Sequence, residues 1–269
     1  GYRDMVNRKK IRLRNGDILD VEEYHDGNYG SPGKTRRKKE KPTKEQMRLI
    51  NQRNKAKRCR WRLIQYFDQG DLFITWTYEV KNRPPDMEGA LKDFQKAMAK
   101  VRKIYRLRGA PLYWIRNIER GTKGAWHIHL AIKQTPEGDA AAIVTKAWTK
   151  GGTYVAEIRH SKFTGDDMEQ LADYLTKDEN TAEIKADGTP GKPRIAESSY
   201  NTSRNMPLPE PKTDKLVRWK PEVKPPKGYY IARMHEGINP VTGFLYRSYT
   251  LIRLKTQERK KPPNRVRRC

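Results

Sequence analysis

The segment "GAWHIHLAI", Gly124 to Ile132, sets two histidines one residue apart in a run that otherwise reads as a buried strand. Side chains two apart on a strand share a face. His127 and His129 therefore point one way, and Trp126, Ile128, Leu130 and Ile132 the other. Two neutral imidazoles side by side are half of a metal site, which needs at least one further ligand. The preceding run "LYWIRNIE", 112–119, is a second strand, and "RGTKGA" reads as the turn of a hairpin. Tyr113, Ile115, Asn117 and Glu119 share one face of that strand. Cross-strand neighbours lie close enough to share a ligand, so Glu119 is expected to meet His127 and His129. Two histidines and one carboxylate with open positions suit Mg²⁺ or Mn²⁺ in the presence of phosphate, and other first-row metals as well. The same spacing also suits an ordinary structural pair of histidines.

A second group of polar residues lies on a helix. "DDMEQLADYLTKD" carries Met168, Leu171, Ala172 and Leu175 as an apolar stripe, and Thr164 with Asp167 fits a capping box at its start. Gln170, Tyr174 and Lys177 stand at i, i+4 and i+7, a polar strip beside that stripe. A phenol of pKa roughly 10 is a poor nucleophile at neutral pH. A bound cation and Lys177 would each favour the phenolate, and the cation would polarise a phosphodiester. Taken alone, a helical tyrosine is more simply a boundary residue with a wetted hydroxyl.

The rest of the chain must position these groups. "LFITWTYEV", 72–80, alternates as a strand. In "MEGALKDFQKAMAKVRKIYR" the residues Met87, Leu91, Phe94, Met98, Val101 and Tyr105 form a helical stripe behind an Asp86 cap. "DAAAIVTKAW", 139–148, reads as a short helix and "GGTYVAEIRH" as a fourth strand. The order β-α-β-β-α-β-α begins as the split βαβ, ferredoxin-like arrangement. That predicts an α+β fold, an antiparallel sheet with helices on one face and the other face open to a ligand.

The chain has 269 residues, 58 Lys plus Arg against 32 Asp plus Glu, a net charge of +26 and 35% hydrophobic residues. Such charge points to a polyanion, with nucleic acid the default. There is no apolar run of membrane-spanning length, no signal-peptide core and no CaaX-like end, so no membrane partner and a cytoplasmic location are expected. Cys59 and Cys269 cannot build a disulfide framework. Residues 1–64 read as a basic extension, with "KTRRKKEKPTKEQ" (34–46) a solvated block and a basic helix leading out of it. Residues 65–180 read as the catalytic core. Residues 181–269 read as a polar, Gly- and Pro-rich loop, a β-hairpin turning at "NPVTG" and a basic tail.

Taken together these motifs resemble the HUH endonucleases, specifically the rolling-circle replication initiator (Rep) proteins of bacterial plasmids and phages. "WHIHLAI" resembles the histidine–hydrophobic–histidine motif, "IERGTKGAWHIH" the acidic residue that precedes it, "YLTK" the Tyr-x-x-Lys motif of single-tyrosine Reps, and "LFITWTY" the opening strand motif. The resemblance spans about residues 70 to 180. It implies a Mg²⁺- or Mn²⁺-dependent nickase and strand-transferase of a bacterial host cell. His127, His129 and Glu119 would hold the metal, Tyr174 would form a 5′-phosphotyrosine link and release a 3′-hydroxyl, and Lys177 would assist. The DNA would be single-stranded, or a hairpin, at a replication origin. No GxxxxGK[ST] run occurs in the chain, so unwinding and synthesis would fall to a separate helicase and polymerase.

Single strands bind through phosphate charge and base stacking on aromatics. Trp76, Tyr78 and Tyr113 are the expected stacking residues, with Trp114 beside them, and Arg116, Arg120 and Lys123 the expected phosphate contacts. Trp148 is assigned to the core. A relaxase or single-strand transposase would use the same chemistry, and a non-catalytic RRM-like nucleic-acid binder would share the fold order and the charge. The last is disfavoured because no RNP1-like run is present.

Overall fold

The computed structural model describes residues 6–25, 41–159, 166–239 and 243–254. Among them lie two five-stranded antiparallel sheets, a small two-stranded sheet and four α-helices, a mixed α/β fold.

The sheet that carries the histidines has the order β6-β3-β5-β4-β9, built from β3 (Leu72–Thr77), β4 (Trp114–Gly121), β5 (Trp126–Ile132), β6 (Thr153–Glu157) and β9 (Ile195–Thr202). The strand with the histidines is thus the central one. The expected alternation of strands and helices is present, with boundaries shifted by a residue or two. α2 (Met87–Leu107) starts where the Asp86 side chain accepts the Gly89 amide at 2.9 Å. α2 and α3 (Ala140–Ala147) cover one face of this sheet, and Ile74, Trp76, Ile128 and Leu130 meet Phe94, Met98, Val101, Ile143 and Val144 there.

The other face is not left open as expected. α1 (Lys44–Tyr66) and α4 (Asp166–Thr176) lie on it, and Ile115 and Ala131 pack with Leu63, Ile64, Met168, Ala172 and Leu175. The apolar stripe of α4 demands a partner, and the small residue Ala131 with Ile115 supplies it beside the histidines. α1 begins at a capping box formed by Thr43 and Gln46. The capping residues expected for α4, Thr164 and Asp167, lie outside the described side chains.

The N-terminal stretch is not merely a basic extension. β1 (Val6–Leu13) and β2 (Ile18–His25) form a hairpin in a second sheet of order β10-β1-β2-β12-β11. The other strands of that sheet are β10 (Lys212–Leu216), β11 (Tyr229–Ile238) and β12 (Leu245–Arg253). Val6, Ile11 and Leu13 turn inward while lysines and arginines occupy most of the remaining positions. The basic block at 34–40 and the tail from 255 lie outside the described residues. The polar segment after Lys177 is also more ordered in pattern than a loop. It forms the small hairpin β7 (Ala182–Ile184) and β8 (Pro190–Pro193), then β9, which adds to the edge of β4. No helix among the described residues is long and apolar enough to cross a membrane.

Candidate metal centre and tyrosine helix

Register assembles the site. β4 pairs with β5 so that Glu119 stands opposite His127 and Asn117 opposite His129. β3 pairs on the other side, with Thr75 opposite His129 and Thr77 opposite His127. Side chains of paired residues project from the same face, so all six lie on the face away from α2 and α3. One ligand atom from each of Glu119, His127 and His129 lies within 4.8 Å of the others. That spread is what a single divalent ion, with bonds of about 2.0–2.4 Å, can bridge.

The carboxylate is nearly buried. Its Oε1 accepts from Nε2 of His129 at 2.9 Å, and its Oε2 faces the Lys177 ammonium at 3.2 Å. Oε2 is shielded from solvent and makes no well-directed hydrogen bond. An orphaned carboxylate oxygen beside two imidazoles is the donor set a cation would satisfy. Burial alone would raise the Glu119 carboxyl. The His129 hydrogen bond and the charges of His129 and Lys177 outweigh burial and hold it below the usual range. Burial, and after it the neighbouring His129, push the His127 ring below its ordinary value and favour the neutral form that can ligate.

α4 sets its polar strip against this cluster. The Tyr174 hydroxyl is 3.3 Å from Nε2 of His129, and the two rings meet edge-on at 4.8 Å between centroids. Lys177 lies with its ammonium 3.8 Å from the Tyr174 ring centroid. Burial and the Glu119 charge both raise the Tyr174 phenol, so without a cation it stays protonated at neutral pH. Gln170, the third residue of the strip, is exposed.

Three contributors are not visible in the motifs. The Thr75 hydroxyl lies 3.4 Å from Nδ1 of His129, and Phe73 stacks on the same ring at 6.0 Å, its plane tilted by only 5°. Asn117 is fully buried and donates to the Lys177 carbonyl at 2.9 Å, which fixes the end of α4 over the sheet. Thr75 and Asn117 sit directly across from His129, and Phe73 across from the position two residues on. Strand alternation therefore finds them once the neighbour order is known.

The residues expected to hold DNA are scattered. Trp76 is fully buried on the opposite face, stacked on Trp148 at 5.0 Å, so no base can reach it. Tyr78 is buried and donates to Asp93 at 2.9 Å. Both are in phase with Leu72 and Ile74 on β3, which commits them to the core. Arg116 projects from the opposite face and is buried against Phe94. Arg120 projects from that face too, paired with Glu197 at 3.2 Å and laid over Trp126. Tyr113 is half-buried against Tyr66. Lys123 is exposed in the β4–β5 turn. It lines a groove of about 420 Å³ that also touches Glu119, His127, Lys192 and Arg194. Of the six, only Lys123 is beside the metal-ligating residues.

No curated protein and no solved structure matches the chain. Residues 71–179, the stretch from the start of β3 to just beyond α4, match the family described as Replication-associated protein ORF2, a likeness consistent with a Rep-type replication initiator.

Proposed function

We propose that the protein is a metal-dependent nickase and strand-transferase that acts on single-stranded DNA to start rolling-circle replication. In this reading the sheet of β3, β4, β5 and β6 with α2 and α3 is the ferredoxin-like core of an HUH enzyme. One observation carries the proposal: the Tyr174 hydroxyl stands 3.3 Å from a ring nitrogen of the Glu119/His127/His129 cluster. A nucleophile and a potential Lewis-acid site are then separated by about the space of one phosphate oxygen.

Glu119, His127 and His129 would hold Mg²⁺ or Mn²⁺. The bound ion would withdraw charge from a non-bridging oxygen of the scissile phosphate. The remaining work belongs to side chains. Tyr174 supplies its phenolic oxygen, in line with phosphorus. The new Oη–P bond forms as the P–O3′ bond breaks. The phenol gives up a proton and the departing O3′ takes one, so the step is proton-neutral overall. The phosphodiester energy stays in the tyrosyl ester, and a later attack by a 3′-hydroxyl reverses the step. Lys177 lies over the ring face, where its charge lowers the cost of the phenolate. Thr75 fixes the His129 ring. Its hydroxyl can donate to Nδ1 when Nε2 carries the proton, and can accept from Nδ1 when Nε2 must be free to ligate. Lys123, Lys192 and Arg194 flank the groove through which a strand would reach the cluster.

The test uses the full chain, single-stranded DNA from the origin of the replicon that encodes it, and Mn²⁺. A denaturing gel should show a covalent adduct that is lost with chelator and in Tyr174→Phe. An adduct that survives Tyr174→Phe assigns the nucleophile elsewhere. Tight binding with no adduct on any origin strand favours a non-catalytic DNA-binding protein.

A further inference from the structure

The sheet face turned away from the histidines carries a cavity of about 400 Å³, between α2, the start of β4 and the chain just after β9. Its most unusual member is Arg116. The side chain is almost wholly buried, at 5% exposure, with its guanidinium 4.9 Å from the Phe94 ring and 5.9 Å from the Trp114 ring. One nitrogen donates to the Ser199 carbonyl at 2.8 Å, while Nε is shielded and has no partner. Among the described residues no carboxylate pairs with it, and none lines the cavity. Burial pushes the guanidinium down to about 10, the mark of a cation without a counter-charge.

A buried unpaired cation is costly, and neighbouring rings offset only part of that cost. The other buried arginines among the described residues each have an acid: Arg60 pairs with Asp20 and Arg247 with Glu23. Arg116 has instead two further arginines on the rim of its cavity, the exposed Arg102 and Arg204. Three guanidinium groups converge on one space that no acid shares. Trp114 gives that space a half-buried indole wall, and Ser203 a hydroxyl. The volume is in the range of small-ligand sites. The chemistry that satisfies all of this is a phosphate joined to a planar ring.

We propose that this cavity binds a nucleoside phosphate, with the phosphate on Arg116, Arg102 and Arg204 and the base against Trp114. The ligand is either a free nucleotide or one nucleotide of a DNA strand that crosses to this face. The proposal shares no residue with the metal cluster and stands whether or not the protein nicks DNA.

The experiment titrates the full chain, in chelator to keep the metal cluster silent, with dATP, inorganic triphosphate and a short poly(dT) strand. Binding is read by calorimetry. We expect Arg116→Met and Arg204→Glu to weaken dATP or the strand by about tenfold or more, the worth of one hydrogen bond to a charged group. Lys100→Glu, an exposed charge reversal on α2 away from the cavity, should change it far less, and Tyr174→Phe not at all. Weakening with dATP identifies a free-nucleotide site. Weakening with the strand alone identifies a strand subsite. The proposal is overturned if Lys100→Glu acts as strongly as Arg204→Glu, if neither cavity variant moves either ligand, or if triphosphate binds as tightly as dATP. Should Arg116→Met fail to fold, Arg204→Glu decides.

Discussion

Lys177 holds its ammonium 3.2 Å from Oε2 of Glu119, the carboxylate that also accepts from His129. A lysine thus stands where a divalent cation would draw charge. Removing it should strengthen binding of that cation. Lys177→Met is expected to bind Mn²⁺ several-fold more tightly by calorimetry, since about 1 kcal/mol of repulsion between cations at this range is a factor of about five. Adduct formation should fall in the same variant. Unchanged or weaker Mn²⁺ binding would mean that the ion sits elsewhere.

Thr75 makes a contact of 3.4 Å to Nδ1 of His129, long for a hydrogen bond. Outer partners of metal-bound histidines are worth about 10–100-fold in affinity, and the long contact puts Thr75 at the lower end. Thr75→Val, close in shape, should weaken Mn²⁺ about tenfold and leave the urea midpoint nearly unchanged. Glu119→Gln should lose far more, because it removes a charged ligand.

The acid limit of metal binding follows from His127. A cation binds the neutral ring, so protons compete with it. Burial, then the neighbouring His129, place the His127 ring below its ordinary 6.5 in the metal-free protein. Glu119 is held below its ordinary 4.5, so it stays ionised across this window. Mn²⁺ affinity should therefore hardly change through His127 on going from about pH 8 to pH 7, and should fall as the pH drops below the ordinary histidine range. Calorimetry across a pH series checks this. A tenfold loss already complete at pH 7 would contradict it.

The tyrosine helix is clamped from the second sheet. Arg233 on β11 donates through Nε to Oε2 of Glu169 on α4 at 2.8 Å and pairs through a second nitrogen with Oε1. The pair lowers the Glu169 carboxyl against the rise that burial would cause. Arg233→Ala should cost about 1 kcal/mol in urea unfolding, a modest figure because Glu169 is partly solvated. Faster amide exchange in α4 than in α2 should accompany it. Uniform destabilisation without selective exchange in α4 would remove the clamp from consideration.

The hairpin carrying Glu119, His127 and His129 is legible from alternation alone, because one buried face fixes which residues point together. Tyr174 and Lys177 are legible from helical spacing beside an apolar stripe. The side of the sheet that α1 and α4 cover is not, since it depends on which apolar faces find each other in three dimensions. The first 25 residues are hidden by their charge. The signal there is Asn15-Gly16, both with positive φ (54° and 90°), flanked by inward Ile11, Leu13, Ile18 and Leu19. Side-chain type misleads at Trp76 and Tyr78, although their phase with Leu72 and Ile74 already assigns them to the core. Thr75 and Asn117 need the neighbour order of β3, β5 and β4, which no single segment contains.

The β4–β5 turn closes with the Gly121 amide on the Ala125 carbonyl at 2.8 Å, and Gly124 takes φ +84°. Strand side chains alternate, so adding or deleting one residue there would rotate every downstream position to the reverse side. Both imidazoles would then lie among tryptophans and isoleucines, and the carboxylate would face nothing. The composition of this loop is free to drift so long as its parity is kept.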